Sequence, residues 1–153
     1  MNEKVRKECV NAMFELYPRG RKLIYEAFDR IDEDLTRTQQ IILLALDVKD
    51  NLSMSQLADK ICTSNEQATR AVTQLVDKGL VNRQQNKTNR RVVNITLTQK
   101  AKDCLAVAKK AVLTRAANSN CPLLEDQDLQ IVGDCLKKVL ETLKKLDSGD
   151  TEY

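Results

Sequence analysis

The sequence predicts a mainly α-helical chain with one β hairpin near its middle, and three observations carry that prediction. Apolar residues recur at three- and four-residue steps over most of the 153 residues, the period of a helix with one buried face. Three S/T-x-x-Q sequences open helices in succession: Thr36 with Gln39, Ser53 with Gln56, and Ser64 with Gln67. In such a capping box the hydroxyl and the Gln side chain each satisfy a donor that the first turn leaves orphaned. Only near Arg91–Leu97 does the period shorten to two. There Val93, Ile95 and Leu97 alternate with Asn94 and Thr96, as on a half-buried strand.

Residues 2–34 read as two helices. Val5, Cys9, Ala12, Met13 and Leu16 form the first stripe, and Leu23, Ile24, Ala27, Phe28 and Ile31 the second. Pro18 and Gly20 lie between them, and proline removes a ladder donor and crowds the preceding turn. The Thr36 box precedes Ile41-Ile42-Leu43-Leu44-Ala45-Leu46, too apolar for a surface stripe and therefore a central core helix. The Ser53 box opens a short helix with Met54, Leu57, Ala58 and Ile61 on one side. Cys62-Thr63-Ser64 then leads into a third helix that ends at Gly79, a natural C′ residue.

Two short helices joined by so brief a turn form a helix-turn-helix. In the second of them Ala68, Ala71, Val72, Leu75 and Val76 make the buried stripe. Asn65, Gln67, Thr69, Arg70, Thr73 and Gln74 face outward, and such side chains bond base edges and phosphates. Taken alone, this is also the face of any amphipathic helix. The hairpin that follows shifts the balance toward DNA binding. Leu80, Val81 and Arg83 start one strand, Gln84–Asn89 is a polar turn, and Arg91–Leu97 returns. A hairpin directly after a recognition helix makes a winged helix-turn-helix with a two-stranded β wing, and Lys87, Arg90 and Arg91 lie at its tip.

After Thr98, a cap, a long helix runs to about Asn118 on Ala101, Leu105, Ala108 and Val112. A loop containing Cys121-Pro122 follows. The last helix carries Leu129, Val132, Leu136, Val139, Leu143 and Leu146, an a/d seam of period 3.5. Its partner is either its own chain or a second copy. The tail, 148–153, is polar and expected to be disordered.

Composition narrows the function. Hydrophobic residues are 42% and charged residues 31%, the balance of a folded soluble domain. No apolar run reaches the roughly 20 residues of a membrane span, and the N-terminus lacks the apolar core of a signal peptide, so the expected location is the cytoplasm. There is no histidine, which excludes Ser-His-Asp and Cys-His catalysis and His-ligated zinc. The five cysteines lie at least fourteen residues apart, so no CxxC pair exists, and each is by default a small buried hydrophobe. Phosphate-binding glycine loops are absent. No catalytic residue, metal or cofactor is therefore expected. Ser53–Lys100 holds eight Lys/Arg and three acids, a net of +5 in a chain of +3, which on charge alone fits a polyanion partner and a solvated basic face equally.

The stretches LTRTQQIILLAL, SMSQLADKICTSNEQATRAVTQLVDKGLVNR and NKTNRRVVNITLTQKA resemble the MarR family of bacterial transcriptional regulators. The resemblance spans about Leu35 to Lys100. It implies a homodimeric repressor whose N- and C-terminal helices interlock and whose winged domains enter double-stranded DNA at a pseudo-palindromic operator. The division it implies is 1–34 for N-terminal dimerisation helices, 35–98 for the winged helix-turn-helix and 99–147 for C-terminal dimerisation helices. Leu129, Val132, Leu136, Val139 and Leu143 fall in the implied dimer interface. DNA contacts carry over to Ser64, Asn65, Gln67, Thr69, Arg70 and Thr73, and at the wing to Lys87, Arg90 and Arg91. Arg91 matches the family's minor-groove arginine. Asn89 replaces the Asp that usually precedes the Arg pair, so a neutral amide stands where an ion pair would brace the wing. Glu66 would repel phosphate and is left out.

Two release triggers accord with the resemblance. One is a small aromatic or phenolic effector near Tyr25 and Phe28. The other is oxidation of Cys9, which has Lys4, Arg6 and Lys7 close in sequence. The ligand route is favoured. A rival reading is a winged helix used as a protein-interaction module; it lacks the exposed apolar or aromatic anchors such a surface needs.

Overall fold

The computed structural model of the chain describes residues 2–29, 31, 34–86, 89, 92–118 and 126–147, with the side chains of 113, 115–118 and 145–147 outside the description. Residues 1–116 form one compact unit and 117–153 another.

In the first unit, α1 (Glu3–Phe28) is a single helix, not the two that the sequence predicts. Pro18 lies within it. Both Pro18 and Phe14, whose carbonyl would have accepted the missing proline N–H, are exposed. Water can therefore satisfy that carbonyl, and one lost ladder bond does not end the helix. The core helix α2 (Arg37–Val48) forms as expected behind a complete Thr36–Gln39 capping box, and buries Ile42, Leu43, Ala45 and Leu46. Residues Leu52–Ser53 form β1, a two-residue strand that the sequence does not signal. The complete Ser53–Gln56 box opens α3 (Met54–Lys60).

The second helix of the helix-turn-helix, α4 (Asn65–Asp77), ends as predicted at Gly79, whose φ of +68° lies in the left-handed region. Its buried stripe is Ala68, Ala71, Val72 and Leu75. Val76, expected in that stripe, is 36% exposed, at the edge of the packed face. The wing strands β2 (Val81–Gln85) and β3 (Val93–Leu97) pair antiparallel with Arg83 opposite Ile95. β2 thus extends through Gln84 and Gln85, two residues further than the predicted turn allows. β1 adds to the far edge of β3, giving a three-stranded sheet of order β1-β3-β2.

α5 (Gln99–Asn118) starts at Thr98. The Thr98 hydroxyl accepts the Ala101 N–H at 3.2 Å and donates to the carbonyls of Gly79 and Leu80, at 2.8 and 3.1 Å. One side chain thereby fixes the start of α5 against the end of α4. Ala101, Leu105 and Ala108 are buried, and Ala101 and Leu105 join the core cluster around α2, with which Phe28, Leu57, Leu75, Leu80 and Ile95 also pack. Lys109 pairs with Asp47 at 2.7 Å across the same interface.

The second unit contains α6 (Asp126–Asp147). Its seam residues Leu129, Val132, Leu136, Val139 and Leu143 are 37–49% exposed in the single chain. The predicted tail and the Cys121-Pro122 loop lie outside the described residues.

Candidate nucleic-acid interface

The exposed face of α4 is built from its first residue. The Ser64 Oγ caps the helix by accepting the Gln67 N–H at 3.2 Å. The third predicted box is only half formed. Gln67 does not return to the cap backbone; its Oε1 accepts the Thr63 hydroxyl at 2.6 Å. This bond ties the turn of the helix-turn-helix to the face it presents. Cys62 in that turn adopts φ 53°. Nearby, a shallow depression of about 220 Å³ is lined by Thr38, Ile41, Ile61, Cys62 and Thr63, below the roughly 300 Å³ at which ligand pockets begin.

Ser64, Asn65, Gln67, Thr69, Arg70 and Thr73 are all exposed, spread over the part of the helix surface that the buried stripe leaves free. They offer hydroxyl, amide and guanidinium groups, which suit phosphate oxygens and base edges alike. Arg70 Nη2 lies 3.1 Å from Glu66 Oε1, one turn back. Glu66 thus does more than favour the helix N-terminus: it holds the main cation of the face. Arg83 on β2 donates to the Thr73 hydroxyl at 3.3 Å, and that hydroxyl donates to the Thr69 carbonyl at 2.9 Å. The wing strand and α4 therefore present one continuous polar surface. Lys100, counted in the basic window, donates to the Lys78 carbonyl at 3.1 Å, and so caps the negative end of α4.

At the wing tip, the Asn89 N–H donates to Asn86 Oδ1 at 3.2 Å, and the Val92 N–H to the Asn89 carbonyl at 2.9 Å. Lys87, Arg90 and Arg91 lie outside the described residues.

The aromatic residues separate. Phe28 is 2% exposed and packs in the core cluster. Tyr25 is half-buried beneath two cations, with the Arg37 guanidinium 4.4 Å and that of Arg21 5.6 Å from its ring centre. Arg37 also makes a two-pronged pair with Asp29, at 2.9 and 3.2 Å, which clasps the end of α1 to the start of α2. Of the cysteines expected to be buried, Cys9, Cys62 and Cys135 are exposed and Cys104 is half-buried. Lys4, near Cys9, pairs with Glu8 at 4.0 Å. Among the described residues, no cluster of three or more Cys, Asp or Glu could hold a metal, and no helix is long and apolar enough to cross a membrane.

The family model for the MarR family matches residues 35–93. No curated protein matches the sequence significantly. Solved structures share the fold over nearly the whole chain. A MarR family protein from Bacillus stearothermophilus is 20% identical, with a TM-score of 0.71 over 94% of this chain and 99% of its own. A MarR transcriptional regulator from Methanosarcina mazei Go1 is 23% identical, with a TM-score of 0.66 over 92% and 99%. The transcriptional regulator BldR from Sulfolobus solfataricus is 25% identical, with a TM-score of 0.62 over 93% and 99%. The matched segment runs from just before α2 through α4 and β2 to Val93, where β3 begins, and residues 35–93 are a domain of the MarR family.

Proposed function

We propose that the protein is a DNA-binding transcriptional regulator of the MarR type, acting as a homodimeric repressor on a pseudo-palindromic operator. The observation that carries this reading is the exposed face of α4, polar from Asn65 to Gln74 and joined to the wing strand through Arg83 and Thr73. Two such helices related by a two-fold axis would enter major grooves about 34 Å apart. A protein-docking face would show apolar anchors instead, and Asn65–Thr73 exposes none.

The dimer is supported by apolar surface that a lone chain leaves in water. Val5, Val10, Met13, Phe14, Leu16 and Tyr17 on α1 are 50–78% exposed, and α6 exposes its a/d seam. Apolar residues exposed in such number on each helix mark an association site. Its assignment to a second copy follows the resemblance.

Selection of bound fragments from genomic DNA, followed by mobility shift with the selected duplex, tests the reading. Binding of selected and random duplexes with equal strength would contradict it. Replacing Arg91 by Ala is expected to weaken specific binding by about 1–3 kcal/mol, the worth of one good readout contact. Glu66→Gln should act in the opposite direction. It releases Arg70 from its ion pair and removes a carboxylate that phosphate must approach. Tightening by about 0.2–1 kcal/mol is expected in the same titration, the range of an exposed pair.

Release by a small aromatic anion is supported by Tyr25, whose two flanking guanidinium groups complement such a ligand. Benzoate is a suitable probe: it should displace the protein from its duplex, and Tyr25→Ala should remove that sensitivity. Loss of binding under peroxide, prevented by Cys9→Ser, would instead assign release to oxidation.

A further inference from the structure

One side chain on the α4 face has its hydrogen-bonding sense fixed from inside the core. A backbone N–H can only donate, so the Thr36 amide, 2.9 Å from Gln39 Oε1, identifies that atom as oxygen. The other terminal atom of Gln39 is then its NH₂ group. Gln39 is 2% exposed, and this nitrogen lies 2.8 Å from Oε1 of Gln74 on α4. An NH₂ group needs an acceptor, so Gln74 must turn its oxygen inward. Its own NH₂ group is thereby turned away from the core. Gln74 is exposed, and no hydrogen bond from that nitrogen is present among the described residues.

We propose that Gln74 is a donor-only contact to a DNA phosphate, its polarity set by Gln39 and the Thr36 cap; this rests on the reading of α4 as the DNA-binding helix. Gln67, Arg70 and Gln74 follow one another at steps of three and four on α4, a single stripe of the helix. In a helix-turn-helix the N-terminal residues of the recognition helix reach base edges. Gln74 stands near the other end, beside Thr73, which the Arg83 cation already touches. Reading adenine with an amide requires its donor and acceptor together, and the Gln74 oxygen is engaged inward. What is left, two N–H donors beside a guanidinium, matches the acceptor-only oxygens of phosphate.

The test uses the full-length protein and a duplex that it selects from a random-sequence pool, with affinity read by fluorescence anisotropy. Gln74→Leu should weaken binding roughly 10- to 100-fold, as for one hydrogen bond to a charged group. Gln74→Glu still accepts from Gln39 but presents negative charge to the phosphate. It should lose more than about tenfold. Both losses should be equal on selected and scrambled duplexes. Gln74→Glu should leave the thermal transition unchanged, whereas Gln74→Leu takes the acceptor from the buried Gln39 NH₂ group and should lower it. Gln39→Met unlocks Gln74 and should bring affinity toward that of Gln74→Leu, and adding Gln74→Leu to it should cost nothing more. If the wild type binds, Arg70→Ala weakens it and both Gln74 variants bind like wild type, the contact is overturned while the reading of α4 stands. A changed sequence preference in Gln74→Leu would overturn the phosphate assignment. Failure of the wild type to bind any duplex would instead overturn the underlying reading.

Discussion

Removal of residues 125–153 is expected to abolish operator binding and to leave a monomer or an insoluble protein. The deletion takes away α6, whose 22 residues place Leu129, Val132, Leu136, Val139 and Leu143 on one seam of period 3.5. These side chains are 37–49% exposed in the single chain, and burying each against a partner helix is worth about 1–2 kcal/mol. A dimer that places two recognition helices on DNA gains affinity by holding the second half-site contact at high local concentration. Without α6 each wing would bind singly. The apolar residues that α1 exposes would remain in water, which is why insolubility is the alternative expected result. Size-exclusion chromatography with light scattering measures this directly. A truncated protein that still runs as a dimer would remove α6 from the interface.

The second large effect lies in the core. Leu75 is wholly buried on α4 and packs in the cluster around α2, so Leu75→Ala should lower the unfolding free energy by about 2–5 kcal/mol. That is a substantial share of the roughly 5–15 kcal/mol that holds a domain folded. Thr69 stands on the opposite, exposed face of the same helix. Thr69→Ala should leave the unfolding free energy from a urea titration within about 0.5 kcal/mol of wild type yet weaken the protein–DNA complex. The two variants separate what holds α4 from what α4 holds. Equal destabilisation by both would mean that the exposed face is itself structural.

What the sequence makes legible is what its local chemistry decides. The Thr36 and Ser53 boxes each link residues three apart and form as read, because donor and acceptor are neighbours in the chain. At Ser64 the same pattern is overridden by a competing neighbour, the Thr63 hydroxyl, which takes the Gln67 side chain. Pro18 misleads because proline breaks a helix only where the lost bond cannot be replaced, and α1 is exposed on both sides of it. Strand β1 is invisible because two residues, Leu52 and Ser53, carry no period, and only pairing with Ile95 and Asn94 makes them a strand. The outward face of α4 was in the periodicity, but its wiring was not. Gln39 and Gln74 are 35 residues apart, and each separately looks like an ordinary polar helix residue. Tyr25 and Phe28 look alike in sequence, and packing distinguishes them: one lies beneath Arg37, the other in the core.

The central claim, that α4 and the wing neutralise DNA phosphates, is tested most directly by the salt dependence of binding to a selected operator duplex and to a random duplex. With Arg70, Lys87, Arg83 and Arg90 contributed by each of two subunits, the account predicts a steep fall. The loss should be on the order of a thousandfold between about 50 and 200 mM salt, as for proteins that contact 6–10 phosphates. The operator should remain preferred over random DNA throughout that range. Equal and salt-insensitive binding of the two duplexes would contradict the account.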